Sequence, residues 1–286
     1  MIKQLCLIGV GMIGGSLALS LRNTGFCEEI VGFDLDTDSL ESAVDMGVID
    51  RFADNAVAAV EDADIVVLAV PLGAMESVLR EIKPGLKPGA TVTDTGSAKQ
   101  CFLDAARIVF GEVPASLVPG HPIAGRASSG VSASTEGLYA DKKVILTPLE
   151  GTDAQSLKRV SDMWLSTGAI VEEMNAATHD QFLASTSHLP HVLAFAITEM
   201  LANSEKAEEI FAFAGSGFKG FTRIASSDPV MWRDICLQNP QAILESITAF
   251  EQTLGELKQY ITEANGTALF ETFSHAKSKR DDLMKS

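Results

Sequence analysis

The chain is short of basic residues, with 22 lysines and arginines against 38 aspartates and glutamates and a formal net charge of −16. No lysine/arginine stripe interrupts that excess, so the electrostatic footprint of nucleic-acid binding is missing. An anionic ligand must therefore be held by a few local cations and not by the overall field. Apolar runs are short as well: none reaches the roughly 18 residues that a membrane span requires. The opening Met1-Ile2-Lys3-Gln4-Leu5 runs directly into a strand-like segment, which leaves no room for the regions of a secretory leader. The expectation is a cytoplasmic protein with neither nucleic-acid nor membrane partners. Cysteines are few and single: Cys6, Cys27, Cys101 and Cys236 make no C-x-x-C pair, the usage of small hydrophobes in a reducing compartment. Internal repeats, low-complexity tracts, charge blocks and flexible linkers are also lacking.

What remains is an ordinary globular composition, 46% hydrophobic and 21% charged over 286 residues, long enough for two buried cores. As far as about residue 170, short apolar runs alternate with helical patterns. Strands are predicted at 4–9, 29–33, 65–70, 91–94, 117–119, 144–147 and 169–172, and helices at 14–24, 39–46, 73–82 and 98–110. Most of the strand runs are continuously apolar, as in parallel strands buried on both faces. The alternation predicts a doubly wound, Rossmann-type α/β domain over residues 1–172. Beyond about residue 175 the strand signal stops. Helical patterns follow at 176–201, 207–213, 229–238 and from 240 to about 279, with Pro190, Pro229 and Pro240 marking starts or bends. Residues 173–286 are expected to be all-helical.

The segment Gly9-Val10-Gly11-Met12-Ile13-Gly14 follows the first apolar run and opens a helix. Gly9 suits a tight turn, Gly11 lets backbone approach a pyrophosphate, and Gly14 lets helix and strand pack closely. The helix N-terminus offers unpaired N–H donors and partial positive charge. Asp34 lies 20 residues after Gly14, at the end of the second strand, where a carboxylate can bind both adenine-ribose hydroxyls and repel a 2′-phosphate. Leu35, Asp36 and Thr37 follow it and offer no arginine for such a phosphate. The cofactor is expected to be NAD, contacted by Gly9, Gly11, Met12, Ile13, Gly14 and Asp34, with Val70 and Pro71 at the end of the 65–70 run.

Three further segments fall where an α/β sheet gathers ligands: Asp94-Thr95-Gly96-Ser97-Ala98-Lys99, Pro119-Gly120-His121-Pro122-Ile123-Ala124-Gly125-Arg126 and Ser187-His188-Leu189-Pro190-His191. Taking hydride from a carbinol carbon calls for a group that engages the hydroxyl proton, and histidine titrates in the useful range. His121 is the best placed of five histidines, on a loop after a short strand, with Ser97 available to orient it or bind substrate. His188 and His191 have a spacing that suits one helical face, but nothing nearby completes a metal site, and Asp180 lies too far back. No metal is expected, and a substrate-binding or packing role suits both. His179 and His275, in polar helical surroundings, are expected to be solvated. Residues 215–223 look like a mobile glycine loop ending in Arg223, whose fork can clamp a carboxylate.

In this order along the chain, these segments resemble the prephenate/arogenate (cyclohexadienyl) dehydrogenases of tyrosine biosynthesis. The resemblance extends through Phe221-Thr222-Arg223-Ile224-Ala225 to Met231-Trp232-Arg233-Asp234-Ile235. It implies NAD-dependent oxidative decarboxylation of prephenate to 4-hydroxyphenylpyruvate, or of arogenate to tyrosine, and leaves the choice of substrate and inhibition by tyrosine open. On that resemblance His121 engages the ring C4 hydroxyl, Ser97 contacts both His121 and substrate, and Arg223 binds a carboxylate. His191 lies near the substrate side chain with Ser187 and His188, and the stretch around Trp232 approaches the active site of a homodimer partner. The family often has a glutamate where this chain has Ala127 and an aspartate where it has Gly220, so acid-gated access is in doubt. Neither a chorismate mutase region nor a C-terminal regulatory domain is expected. Two other readings are weaker. A β-hydroxyacid dehydrogenase relies on a lysine in the helical half, where Lys219 and Lys206 fit poorly. A non-catalytic NAD-sensing regulator has no reason to keep His121, Ser97 and Arg223 together.

Overall fold

The computed structural model describes residues 2–125 and 128–285. Arg126 and Ala127, the latter one of the family departures noted above, lie outside the described residues. Six strands form a parallel sheet: β1 (Ile2–Ile8), β2 (Cys27–Phe33), β3 (Arg51–Phe52), β4 (Ile65–Leu68), β5 (Thr91–Asp94) and β6 (Leu117–Val118). Their order, β3-β2-β1-β4-β5-β6, reverses direction between β1 and β4. At that switch point the carboxyl ends of adjacent strands open a crevice for ligands. Strand β4 is fully buried, as is β1 from Gln4 on, which accounts for the unbroken apolar sequences Ile65–Leu68 and Leu5–Ile8.

Helices cover the sheet in the first part of the chain: α1 (Met12–Thr24), α2 (Thr37–Asp45), α3 (Ala56–Val60), α4 (Met75–Ile82), α5 (Gln100–Phe110) and α6 (Ala154–Ser166). The core joins Leu5, Leu7, Leu17, Leu21 and Ile65 to Val144, Met163 and Trp164. Helix α1 ends at Gly25 in the left-handed conformation, its N–H closing on the carbonyls of Leu21 and Arg22. Two helices, α3 and α6, and the two-residue β3 go beyond the elements read from sequence.

The last strands do not extend the main sheet. β7 (Gly120–Pro122), β8 (Lys143–Leu146) and β9 (Ile170–Glu173) make a second, three-stranded sheet in which β7 is antiparallel to β8 and β8 parallel to β9. This corrects the loop expected around His121: the residue is in a strand, opposite Ile145.

After β9 the described residues are helical: α7 (Ala176–Leu183), α8 (Leu189–Ala202), α9 (Ala207–Ala212), α10 (Ser216–Thr222), α11 (Pro229–Gln238), α12 (Pro240–Thr262) and α13 (Gly266–Leu283). A π-helical turn, Ala184–His188, joins α7 to α8. The expected glycine loop at 215–223 is instead helix α10 running into a 3-10 turn, Arg223–Ser226. The chain divides into two compact units, Met1–Pro240 and Gln241–Ser286.

Candidate active site

The phosphate cradle is built by backbone. Gly9 has φ +96°, and a Cβ there would lie 2.4 Å from the Ala69 carbonyl oxygen, so no side chain is tolerated. A Cβ on Gly14 would meet the Gly9 carbonyl oxygen at 2.4 Å, whereas one on Gly11 would meet nothing within 4 Å. Gly11 therefore faces open space at the head of α1, where no side chain caps the first-turn N–H groups. Those donors and the helix dipole suit a pyrophosphate. Met12 and Ile13 form the first turn. The end of β4 continues into Ala69 and Val70, and the Val70 side chain packs at Gly9; Pro71 then precedes a 3-10 turn, Leu72–Ala74. Asp34, just past β2, accepts from the Val10 N–H at 2.8 Å and the Asp36 N–H at 3.2 Å. Its carboxylate is thereby fixed beside the glycine turn.

His121 is buried at 8% exposure. Its neighbour Gly120 is held on both sides by a buried ion pair between Asp94, the last residue of β5, and Lys99. Asp94 accepts from the N–H groups of Gly120 (3.0 Å) and Gly96 (2.9 Å), while Lys99 Nζ donates to the Gly120 carbonyl (2.6 Å). A salt bridge this deep costs desolvation, which these further hydrogen bonds to Gly96 and Gly120 help to offset. The result ties the Ser97 turn to the strand that carries His121.

The His121 ring meets a second histidine, not Ser97. Nδ1 of His121 lies 2.8 Å from Nε2 of His179, and Nδ1 of His179 lies 2.7 Å from the Asp180 carboxylate. His179 is thus fully buried, which corrects the solvated position expected for it. Asp180 also accepts the N–H groups of Lys99 and Gln100 at 2.8 and 2.9 Å. It supplies the N-terminal cap that α5 lacks locally. Burial holds His121 well below the ordinary histidine range, and His179, Lys99 and His188 push the same way. His179 is lowered by burial more than its bond to Asp180 raises it.

Ser97 is half-buried and approaches His188 through its backbone. His188 ends the π-helical turn, a local insertion common at functional sites. Its Nδ1 faces Asn239 at 3.3 Å, Nε2 is buried without a hydrogen-bond partner, and burial pushes the group down to about 4. One turn on, His191 Nδ1 lies 2.9 Å from the Ser187 carbonyl oxygen, and the ring stacks on Trp232 with ring centroids 3.8 Å apart. Trp232 is buried against its own chain, its Nε1 also without a partner. Arg223 is exposed at the start of its 3-10 turn, close enough to His191 for its charge to depress that imidazole further than burial alone. His275 is exposed on α13.

The structure therefore brings His121 together with His179, Asp180, Lys99 and Asp94, and Ser97 with His188. It also gathers Ser187, His191, Trp232 and Arg223. His179 and Asp180 carry no motif of their own. The available signal was the missing cap at the start of α5, which implies an acceptor from elsewhere in the chain.

The same architecture recurs in known proteins. The nucleotide-binding domain of prephenate dehydrogenase matches residues 17–173, and its dimerization domain matches residues 175–275. A prephenate dehydrogenase of Bacillus subtilis is 35% identical over 279 residues, covering 97% of this chain and 75% of the relative. A cyclohexadienyl dehydrogenase of Zymomonas mobilis is 33% identical, covering 97% and 95%. The crystal structure of prephenate dehydrogenase from A. aeolicus, in complex with hydroxyphenyl propionate and NAD+, superposes with a TM-score of 0.93 at 40% identity, covering 99% of each chain. With both halves matched in order and the fold shared along almost its entire length, the chain belongs to the prephenate dehydrogenase family.

Proposed function

We propose that this chain oxidatively decarboxylates prephenate to 4-hydroxyphenylpyruvate, or its amino counterpart arogenate to tyrosine, with NAD as cofactor. The observation that carries the reading is the buried, neutral His121 fixed by a second histidine beside the Ser97 turn. The relatives' names and the ligands of the A. aeolicus complex support the substrate class and the cofactor.

The cradle fits a dinucleotide, and Gly9, Gly11, Met12, Ile13, Gly14, Asp34, Val70 and Pro71 would hold it. When bound, NAD supplies the acceptor for the hydride of ring C4. His121 takes the C4 hydroxyl proton and returns it to the phenol oxygen once the ring carboxylate has left as CO₂. Aromatisation drives the overall change, so the protein's task is orientation and polarisation of one C–OH. Ser97 contacts the reacting end of the substrate. Arg223 binds a carboxylate, and Ser187, His188, His191 and Trp232 surround the side chain. Residues 1–172 serve as the NAD-binding domain and 173–286 as the substrate-binding and dimerisation domain of a cytoplasmic homodimer.

The test is direct: protein, NAD and either prephenate or arogenate are mixed and absorbance followed at the NADH band. NADH is expected with at least one of them. His121→Asn should lower kcat by on the order of 10²–10⁴ with little change in NAD affinity. No turnover of either substrate, or near-normal turnover by the variant, would defeat the reading.

A further inference from the structure

One base is needed, yet two buried histidines meet edge to edge, their ring centroids 5.0 Å apart. The second touches no surface and is held by a carboxylate that itself caps α5. We propose that His179 is a positioning residue: clamped by Asp180, it accepts the Nδ1 proton of His121 and so leaves the Nε2 lone pair of His121 free for the substrate hydroxyl. This rests on the reading of His121 as the base.

The direction of the chain follows from what each group can donate. Burial raises Asp180, but the bond from His179 and the N–H groups of Gln100 and Lys99 outweigh it and hold the carboxyl below its ordinary range. An ionised carboxylate only accepts. His179 Nδ1 therefore donates to Asp180 across 2.7 Å. A neutral imidazole has a single N–H, so Nε2 of His179 is an acceptor, and the proton in the 2.8 Å contact belongs to His121 Nδ1. His121 then has its lone pair on Nε2.

The arrangement fails if His179 takes a second proton. Its Nε2–H would point at His121 Nδ1, and the single N–H of a neutral His121 would move to Nε2, blocking the base. The charged and titratable groups facing the pair are Lys99 at the start of α5, Asp94 at the end of β5, Asp180 on α7 and His188 in the π-helical turn. Burial and the Lys99 ammonium disfavour the extra proton, against the two carboxylates. During turnover the C4 hydroxyl proton moves to Nε2 while the C4–H pair leaves for the bound NAD. The bond pair to the departing carboxylate enters the ring, and Nε2 returns its proton to the phenolate oxygen. No net proton is released. While His121 holds two protons, its Nδ1–H bond to His179 is charge-assisted.

The test uses the full-length protein labelled with ¹⁵N-histidine, without NAD or substrate, at neutral pH, with the His121 signals assigned by their loss in His121→Asn. The wild type should show a protonated Nδ1 and an unprotonated Nε2 at His121. His179→Leu should scramble that pattern and lower kcat by roughly 10- to 100-fold, with smaller changes in the KM values. His179→Gln, whose amide oxygen can accept the same proton, should recover most of the loss and keep Nδ1 protonated. An Nε2-protonated His121 in the wild type would overturn the inference without any variant being made. So would His179→Leu with unchanged kcat while His121→Asn is inactive, an outcome that leaves the base assignment standing. An active His121→Asn would overturn both.

Discussion

At Asp34 one carboxylate is proposed to serve the fold and the cofactor together. It fixes the glycine turn through the Val10 N–H and sits where the adenine ribose of a dinucleotide would lie. A 2′-phosphate there would face a like charge, which at an effective dielectric near 20 costs about 4 kcal/mol at 4 Å. NAD should therefore be preferred over NADP by well over tenfold in kcat/KM. Asp34→Ala should narrow the gap while also weakening NAD, because the turn loses its anchor; equal efficiency of the wild type with both cofactors would contradict the assignment. Arg223 presents the opposite case, an exposed cation in a chain of net charge −16. A substrate with two carboxylates needs such a group, and the guanidinium fork matches one of them and stays charged at any working pH. Loss of a charge-assisted bidentate contact costs about 2–4 kcal/mol. Arg223→Ala should raise KM for prephenate by roughly 30- to 1000-fold, with a smaller fall in kcat and unchanged NAD binding. Lysine should restore only part. An unchanged KM with a collapsed kcat would show that another cation binds the carboxylate, with Lys219 the next to substitute.

Elements were legible where the pattern is local. Unbroken apolar runs marked β4 and the Leu5–Ile8 part of β1, and the proline at the head of α11 marked a helix whose bounds, Pro229–Gln238, agree with the sequence reading. The glycine fingerprint was legible because Gly9 and Gly14 answer to contacts within one turn and the neighbouring strand, while Gly11 keeps the head of α1 open. Elements created by distant partners were not. β7 is three residues long and contains a proline, and only pairing with β8 makes it a strand. α10 holds two glycines in seven residues, a poor helix by propensity, and is sustained by packing against α8. His179 looked solvated among Thr178, Asp180 and Gln181, yet Asp180 reaches 81 residues back to cap α5 and takes the histidine into the core with it. The site's visible half lay in motifs at strand ends. Its hidden half lay in a helix start without a cap of its own.

For the whole molecule, the question is what covers the apolar surface of the helical region. Within the first compact unit, Phe213 is 90% exposed and Met200, Phe221, Met231 and Leu237 are exposed as well; within the second, Phe270 is 73% exposed along with Leu254, Ile261 and Phe273. Single exposed apolar side chains are ordinary, but so many large ones on the helices of each unit are the pattern expected of an interface. Among the described residues no helix is long and apolar enough to cross a membrane, and the second family model, matching residues 175–275, is a dimerization domain. We propose a second copy of the chain as the partner that covers this surface. Each large apolar side chain fully covered contributes about 1.5–3 kcal/mol, so a handful suffices to offset the loss of translational and rotational freedom. Sedimentation at micromolar concentration should give twice the 30.4 kDa chain mass. Phe213→Asp combined with Phe270→Asp should shift the distribution toward the single-chain mass. A wild-type monomer with full activity would remove the dimer, and with it any part for the Trp232 stretch in a partner's site.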